Sequence, residues 1–307
     1  MSIVCATDFS PTGARAATIA AGLAVRLGES LVLVHVLELP SFGAIGGEPI
    51  VFPLPGWTAD HRRELEAHAR ENLAREKARL ERRGIKVRTR IEVGDAAAEL
   101  ARIADDLSAP LLVTGSHGRG AAMRMVLGSV ADRLTRLSPV PLLVVRGDSA
   151  KLEQWAEGGS KLDILTGVGD GDGLDNIAAL ARLFFLAGDC AFHYAHVVEI
   201  PAMQLYGGPD GGTTVELQLE YGPAAEDEIL TLLRRVELPP PATRLHLLSG
   251  RPATELVEFA QRFDPGLMLL GTHGRKGLER ALLGSVALGV LHKTHCPVAI
   301  APCGRSS

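Results

Sequence analysis

The sequence has few cysteines, no long apolar run and little net charge. Its four cysteines form no Cys-x-x-Cys pair, so we expect free thiols in a reducing, cytoplasmic setting. Apolar runs such as 31–37 fall well short of the roughly 20 residues that cross a bilayer, and no basic leader precedes them, so we expect no membrane partner. The formal net charge of −4 argues against a polycation that binds nucleic acid.

The signatures of several enzyme classes are also missing. There is no Gly-x4-Gly-Lys-Ser/Thr loop, no Gly-x-Ser-x-Gly elbow and no His-Glu-x-x-His pair, so the usual NTPase, serine hydrolase and metalloprotease machineries lack their parts. The glycine-rich segment 167–173 fails the Gly-x-Gly-x-x-Gly fingerprint, because Asp172 stands where the last glycine is needed. We therefore predict no catalytic residues.

A long internal repeat dominates what is present. Residues 111–134 return as residues 267–290 with three glycines and one serine in register, and HVLELP at 35–40 recurs as HVVEIP at 196–201. Such self-similarity indicates a duplicated domain. We predict a first domain at residues 1–147, a polar linker at 148–160 and a second domain at 161–304.

Each copy alternates short apolar, β-branched runs with longer amphipathic segments, which is typical of βαβ units. We therefore predict an α/β fold with two tandem open-sheet domains, each a five-stranded parallel sheet flanked by helices. The predicted strands are 3–7, 31–37, 87–93, 110–114 and 142–145, then 162–167, 191–198, 244–248, 266–270 and 298–301. The predicted helices of the first copy are 13–27, 58–83, 96–106 and 129–137.

The strongest chemical signal is the pattern Gly-x2-Gly-x9-Gly-Ser, which occurs once in each copy. Its residues are Gly115, Gly118, Gly128 and Ser129, and again Gly271, Gly274, Gly284 and Ser285. The first two glycines let the backbone turn with its amides exposed. The Gly-Ser pair opens a helix whose N–H groups, dipole and hydroxyl suit a phosphate. The alternative is ordinary strand-to-helix turn chemistry.

Two kinds of side chain inside this loop could also contact a phosphate. Arg119 and Arg275 stay charged and can bond a phosphate through two N–H groups. His117 and His273 could donate hydrogen bonds to it. For all four, the alternative is a solvated surface side chain.

These motifs resemble the universal stress protein family, in particular its tandem two-domain members, over essentially the whole chain. The family's ATP-binding members carry the same glycine pattern, an Asp that ends the first strand and an adenine-lining residue after the His of the second strand. The resemblance implies an adenine nucleotide, ATP alone or with Mg²⁺, with Asp8 at the adenosine and Val36 at the adenine. The residues assigned to the nucleotide in the first copy are Ala6, Thr7, Asp8, Val36, Gly115, His117, Gly118, Arg119, Gly128, Ser129 and Val130.

The second copy departs from this pattern at one position. Alignment of 164–171 with 3–10 places Gly169 opposite Asp8, with Asp170 one residue late. The adenine wall and the phosphate pattern remain, so weaker binding, or binding through Asp170, stays open. The residues assigned here are Val168, Val197, Gly271, His273, Gly274, Arg275, Gly284, Ser285 and Val286.

The resemblance implies an ATP-binding stress-response protein that acts through a nucleotide-dependent change of conformation or partner, with hydrolysis slow or absent. The alternatives are a nucleotide-independent interaction scaffold and a weak ATPase. Family dimers meet through their last strands, so 142–145 should pair with 298–301 and one chain should mimic a dimer; further pairing of chains stays open.

His292, His295 and Cys296 lie close together in the sequence and could suggest a metal site. No fourth ligand with suitable spacing is evident, and we predict no metal site.

Overall fold

The computed structural model describes residues 1–38, 44–45, 48–49, 59–116, 127–159, 161–169, 173–198, 231, 244–271 and 284–302. Its centre is one ten-stranded sheet with helices on both faces. The predicted sites at His117, Gly118, Arg119, Asp170, His273, Gly274 and Arg275 lie outside the described residues.

The first half follows the predicted order of strands and helices. Its elements are β1 (Ser2–Ala6), α1 (Pro11–Leu27), β2 (Ser30–Leu37), the short antiparallel pair β3 (Ala44–Ile45) and β4 (Glu48–Pro49), α2 (Ala59–Glu81), β5 (Val87–Val93), α3 (Ala96–Asp106), β6 (Leu112–Gly115), α4 (Ser129–Leu137) and β7 (Leu142–Val145).

The second half repeats this order after one additional helix. Its described elements are α5 (Ala150–Ala156), β8 (Leu162–Val168), α6 (Leu174–Ala187), β9 (Cys190–Val198), β10 (Arg244–Ser249), α7 (Pro252–Phe263), β11 (Leu267–Gly271), α8 (Ser285–Lys293) and β12 (Val298–Ala301). None of the helices in the described ranges is long and apolar enough to cross a membrane.

The strand order is β10-β9-β8-β11-β12-β7-β6-β1-β2-β5. Pairing is parallel within each half, which agrees with the predicted fold class. The last strands β7 and β12 pair antiparallel, with Leu143 opposite Ala299, as expected for 142–145 and 298–301. This pairing joins the two predicted sheets into one. It also covers the two sheet edges that β7 and β12 would otherwise expose.

Side chains of alternate strand residues enter two separate cores. Ile3 and Cys5 of β1 pack beneath α1, while Val4 and Ala6 face α3 and α4 on the other side. Helix α1 begins at Pro11, earlier than the predicted residue 13, because Ser10 caps it by accepting a hydrogen bond from the N–H of Gly13. Both faces of the central strands are buried, which explains the nearly continuous apolar character of strands such as β1, β7 and β12.

The predicted linker contains a packed helix, α5, which its polar composition did not indicate. Trp155 of α5 is only 1% exposed. The guanidinium of Arg26, on α1, lies 4.7 Å from the Trp155 ring centroid and donates to the carbonyls of Trp155 (2.5 Å) and Ala187 (3.0 Å). One charged side chain thus links α1, α5 and the end of α6.

A cluster of histidines and phenylalanines lies where α7 packs on the sheet's outer strands. His193 Nδ1 is 3.2 Å from His246 Nε2. The ring centroid of Phe263 lies 4.3 Å from that of His193, and the ring centroid of Phe259 lies 4.7 Å from that of His246. Burial lowers the pKa of both imidazoles, and Arg244 lowers both further. Asp163, with its Oδ1 3.7 Å from His193 Nε2, only partly opposes the shift of the His193 pKa.

This cluster predicts a loss of stability in acid. Because the folded-state pKa of each imidazole is below its unfolded value of about 6.5, the unfolded chain gains protons first, and the free energy of unfolding falls as pH drops through about 6.5. Urea unfolding at pH values above and below this range measures the change. The double variant His193→Phe/His246→Phe should have a weaker pH dependence, whereas His68→Gln, on the exposed face of α2, should behave like the parent. Equal dependence in all three proteins would contradict the assignment.

Candidate functional site

A cavity of about 420 Å³ opens at the carboxyl ends of β1, β2 and β6. From β1 the chain passes to β2 on one side, and it later returns to β6 on the other side of β1. The loops that follow β1 and β6 therefore diverge and leave a cleft between them. Open parallel sheets bind ligands at this kind of switch point.

The cavity brings together every first-copy site residue that the structure describes. These residues are Ala6, Thr7, Asp8, Val36, Gly115, Gly128, Ser129 and Val130. They come from three strand ends and from the start of α4, which are far apart in the sequence. The sequence therefore identified a set of residues that share one cavity.

Asp8 is held in place at the start of α1. Its Oδ1 accepts hydrogen bonds from the Ser10 N–H (3.0 Å) and the Ser10 hydroxyl (2.6 Å). Ser10 in turn caps α1 through Gly13, and a Cβ at Gly13 would lie only 2.7 Å from Asp8 Oδ1. Ser10 is therefore the cap of α1, and Asp8 orients Ser10 while it lines the cavity.

Phe9 adopts a left-handed conformation with φ of 61°. Its N–H donates to Thr7 Oγ1 (3.1 Å), and its ring centroid lies 4.5 Å from that of His35. His35 Nδ1 is in turn 2.7 Å from the Thr7 carbonyl oxygen. Left-handed backbone is unfavourable for a bulky residue and is typically retained where surrounding contacts impose it. The sequence did not predict this left-handed turn at Phe9, which directly follows Asp8.

The other end of the cavity is formed by the start of α4. The Gly128 N–H donates to the Ser116 carbonyl (2.7 Å), and the Ser116 N–H donates to the Val145 carbonyl (2.8 Å). These bonds tie the two ends of segment 117–126 together. Gly128 is the N-cap of α4 and provides no side-chain hydrogen bond. The N-cap residue of α4 therefore offers no side chain to the first N–H groups of the helix, and these groups lie at the positive end of the helix dipole.

Gly115 is needed for packing and not for a positive φ. The described glycines with positive φ are Gly28, Gly84, Gly94, Gly158, Gly188 and Gly250. A Cβ at Gly115 would lie 3.1 Å from Thr12 Cγ2 and 3.2 Å from the Thr12 carbonyl carbon. The glycine therefore lets β6 end close against the first turn of α1, which narrows the base of the cavity.

Several lining residues were not identified from the sequence. Leu65 of α2 and Leu100 of α3 add apolar walls, and Thr114 and Glu38 add polar groups. The apolar periodicity of a helix shows that Leu100 faces inward, but it does not show whether that residue contacts the core or a cavity.

The second half repeats part of this geometry. His196 Nδ1 is 3.0 Å from the Val168 carbonyl oxygen, as His35 is from Thr7, which supports the alignment that places Gly169 opposite Asp8. Val168 and Val197 are buried. Gly284 is the N-cap of α8, which begins at Ser285 followed by Val286, and it too provides no side-chain hydrogen bond. A Cβ at Gly271 would lie 3.1 Å from Ile177 Cδ1, so this glycine also serves close packing.

The His292, His295 and Cys296 segment has other contacts. The buried Cys296 Sγ is 3.2 Å from Thr294 Oγ1, and burial raises the pKa of this thiol to about 11. His292 Nε2 lies 3.6 Å from Asp132 Oδ1, on α4 of the first half. Within the described ranges, no three His, Cys, Asp or Glu side chains converge to hold a metal ion.

Comparison with known proteins identifies the family. The model of the universal stress protein family matches residues 1–146 and again residues 163–302. The chain belongs to the universal stress protein family.

Similar proteins from mycobacteria share most of the chain. Universal stress protein Rv2005c of Mycobacterium tuberculosis is 29% identical over 258 residues, 80% of this chain and 78% of that protein. A universal stress protein of Mycolicibacterium smegmatis is 30% identical over 226 residues, 72% of this chain and 70% of that protein. The crystal structure of a universal stress protein from Archaeoglobus fulgidus shares the fold, with a TM-score of 0.67 at 18% identity, covering 100% of this chain and 97% of that one.

The packing of Gly115 predicts a stability effect. Gly115→Ala should destabilise the chain by about 1–3 kcal/mol, because the added methyl presses on the backbone of Thr12. Gly147→Ala is a matched control, since a Cβ at Gly147 would lie 3.9 Å from the His295 carbonyl oxygen, which is ordinary van der Waals contact. Urea unfolding of both variants tests this, and equal stability would show that Gly115 has another role.

Proposed function

We propose that the cavity of the first half binds ATP. The observation that carries this proposal is the meeting of Asp8, Val36, Gly115 and Ser129 on one cavity of about 420 Å³, a size suited to a small-molecule ligand. The identity of the proposed ligand comes from the resemblance to ATP-binding members of the family. The residues that line the cavity suit a nucleoside at one end and phosphates at the other.

At one end the lining suits a nucleoside. Val36, Leu65 and Leu100 provide apolar surface for a flat base. The Asp8 carboxylate accepts hydrogen bonds, and its position is already set by Ser10, so little side-chain freedom is lost on binding. In the proposed complex it accepts from a hydroxyl group of the ribose.

At the other end the lining suits a phosphate chain. The N-cap residue Gly128 offers no side chain to the first N–H groups of α4, and Ser129 is the first residue of the same helix. N–H groups at a helix start bind phosphate oxygens, and the helix dipole favours the negative charge. We propose ATP, alone or with Mg²⁺, with its phosphates at this helix start.

We further propose that the nucleotide acts as a signal in stress response and is hydrolysed slowly or not at all. A ligand that holds the start of α4 together with segment 117–126 makes contacts that differ between the bound and free states, which a switch of conformation or partner requires. The described free thiols Cys5, Cys190 and Cys296 are compatible with the proposed cytoplasmic setting.

Calorimetric titration with ATP tests the proposal. The parent chain should release or absorb heat with a saturable isotherm, and Asp8→Asn should weaken binding about 10-fold or more, because a hydrogen bond to a charged group contributes about 1.5–3 kcal/mol. Asn keeps an oxygen for the Ser10 cap, so thermal unfolding should change little. Asp60→Ala, an exposed carboxylate on α2, is the control.

No heat and no thermal shift at millimolar ATP would overturn the proposal in favour of a nucleotide-independent scaffold. Turnover of ATP that disappears in Asp8→Asn would instead indicate a weak ATPase.

A further inference from the structure

In each half, the carboxyl ends of the central strands form the floor of the cleft between the strand loops. The two floors differ at one pair of residues on neighbouring strands. In the first half, Cys5 of β1 is paired with Val113 of β6, so the next residues, Ala6 and Thr114, are neighbours. In the second half, Thr166 of β8 is paired with Leu269 of β11, so Gly167 and Leu270 take the same places. The second half thus has glycine where the first half has Ala6, and leucine where the first half has Thr114.

This replacement changes what occupies the space above the strands. In the first half, Ala6 and Thr114 both line the open cavity. In the second half, a Cβ on Gly167 would lie 2.8 Å from Leu270 Cδ2 and 3.3 Å from Leu256 Cδ1. The side chain of Leu270 therefore lies directly over the backbone of Gly167, closer to the position of an alanine methyl than van der Waals contact allows. Only glycine at 167 leaves room for this packing.

The polar groups of the floor are lost at the same time. Thr7, Asp8 and Thr114 correspond to Val168, Gly169 and Leu270. The Asp8 and Ser10 arrangement at the start of α1 also has no counterpart in the described start of α6, where Gly173 is the N-cap without a side-chain hydrogen bond. A ribose placed on this described floor would lose its bonds to water without gaining side-chain partners, which is costly.

We infer that the chain takes up one nucleotide, in the first half only, and that Leu270 packed on Gly167 excludes a nucleoside from the second cleft. This inference rests on the proposed function of the first cavity. The phosphate end of the second half, with Gly271, Gly284 and Ser285, remains, but helix N–H groups alone do not hold a nucleoside. The two halves therefore share a fold and differ in occupancy.

The number of ATP molecules bound per chain tests the inference. Equilibrium dialysis of the full chain over a range of ATP concentrations up to millimolar should give one site per chain, and Asp8→Asn should move the half-saturation of that site to about 10-fold higher ATP without revealing a second, unshifted site. Two sites in the parent would overturn the inference and leave the proposed function intact, whereas a single site that Asp8→Asn does not weaken would overturn both. No binding by the parent would overturn both.

A transplant of the first floor into the second half provides the converse test. The triple variant Gly167→Ala/Gly169→Asp/Leu270→Thr should bind a second ATP, because alanine fits once the leucine is gone and the carboxylate is restored. Gly169→Asp alone keeps Leu270 and should stay at one site. A folded triple variant with one site, or a single variant with two, would overturn the blocking role of Leu270. If the triple variant does not fold, the dialysis of the parent and Asp8→Asn decides the question.

Discussion

The antiparallel pairing of β7 with β12 is the constraint on which the arrangement of the molecule depends. It makes one sheet of two, and side chains then tie the halves across the joint. Buried Arg146, just after β7, donates to the Leu291 carbonyl near the end of α8, and Asp132 of α4 lies beside His292 of α8. A buried guanidinium needs such a partner, and a helix carbonyl end needs a donor. The helix that starts at the first cleft is thus in contact with the second half.

The linker strengthens the same arrangement from the opposite face of the sheet. Helix α5 places Trp155 between the halves, and Arg26 bonds to backbone carbonyls of α5 and α6. Close approach is possible because α1 presents small residues: a Cβ at Gly22 would lie 2.4 Å from the Ala156 carbonyl oxygen. Contacts on both faces of the sheet therefore join the two halves of this chain.

The residues on the floors of the two clefts can differ while the pairing of β7 with β12 stays the same. Positions 6 and 114, and their counterparts 167 and 270, lie at the carboxyl ends of β1, β6, β8 and β11, which are not themselves the strands of the β7–β12 joint. A change from threonine to leucine there alters the space for a ligand without disturbing the pairing that holds the halves together. Duplication thus permits one copy to retain a polar cleft while the other fills its floor with packed leucines.

The amino-acid sequence alone was enough to predict the duplication, the βαβ order, the family and eight of the residues that line the first cavity, because apolar periodicity, glycine spacing and the positions of a family's motifs can be recognised in a single sequence. It did not show the helix in the linker, since the burial of Trp155 comes from both halves at once. Nor did it show the left-handed turn at Phe9, which His35 and Thr7 support from another strand. The packing of Leu270 on Gly167 was decided only by tertiary structure, because the space above a strand depends on the size of the residue beside it on the neighbouring strand.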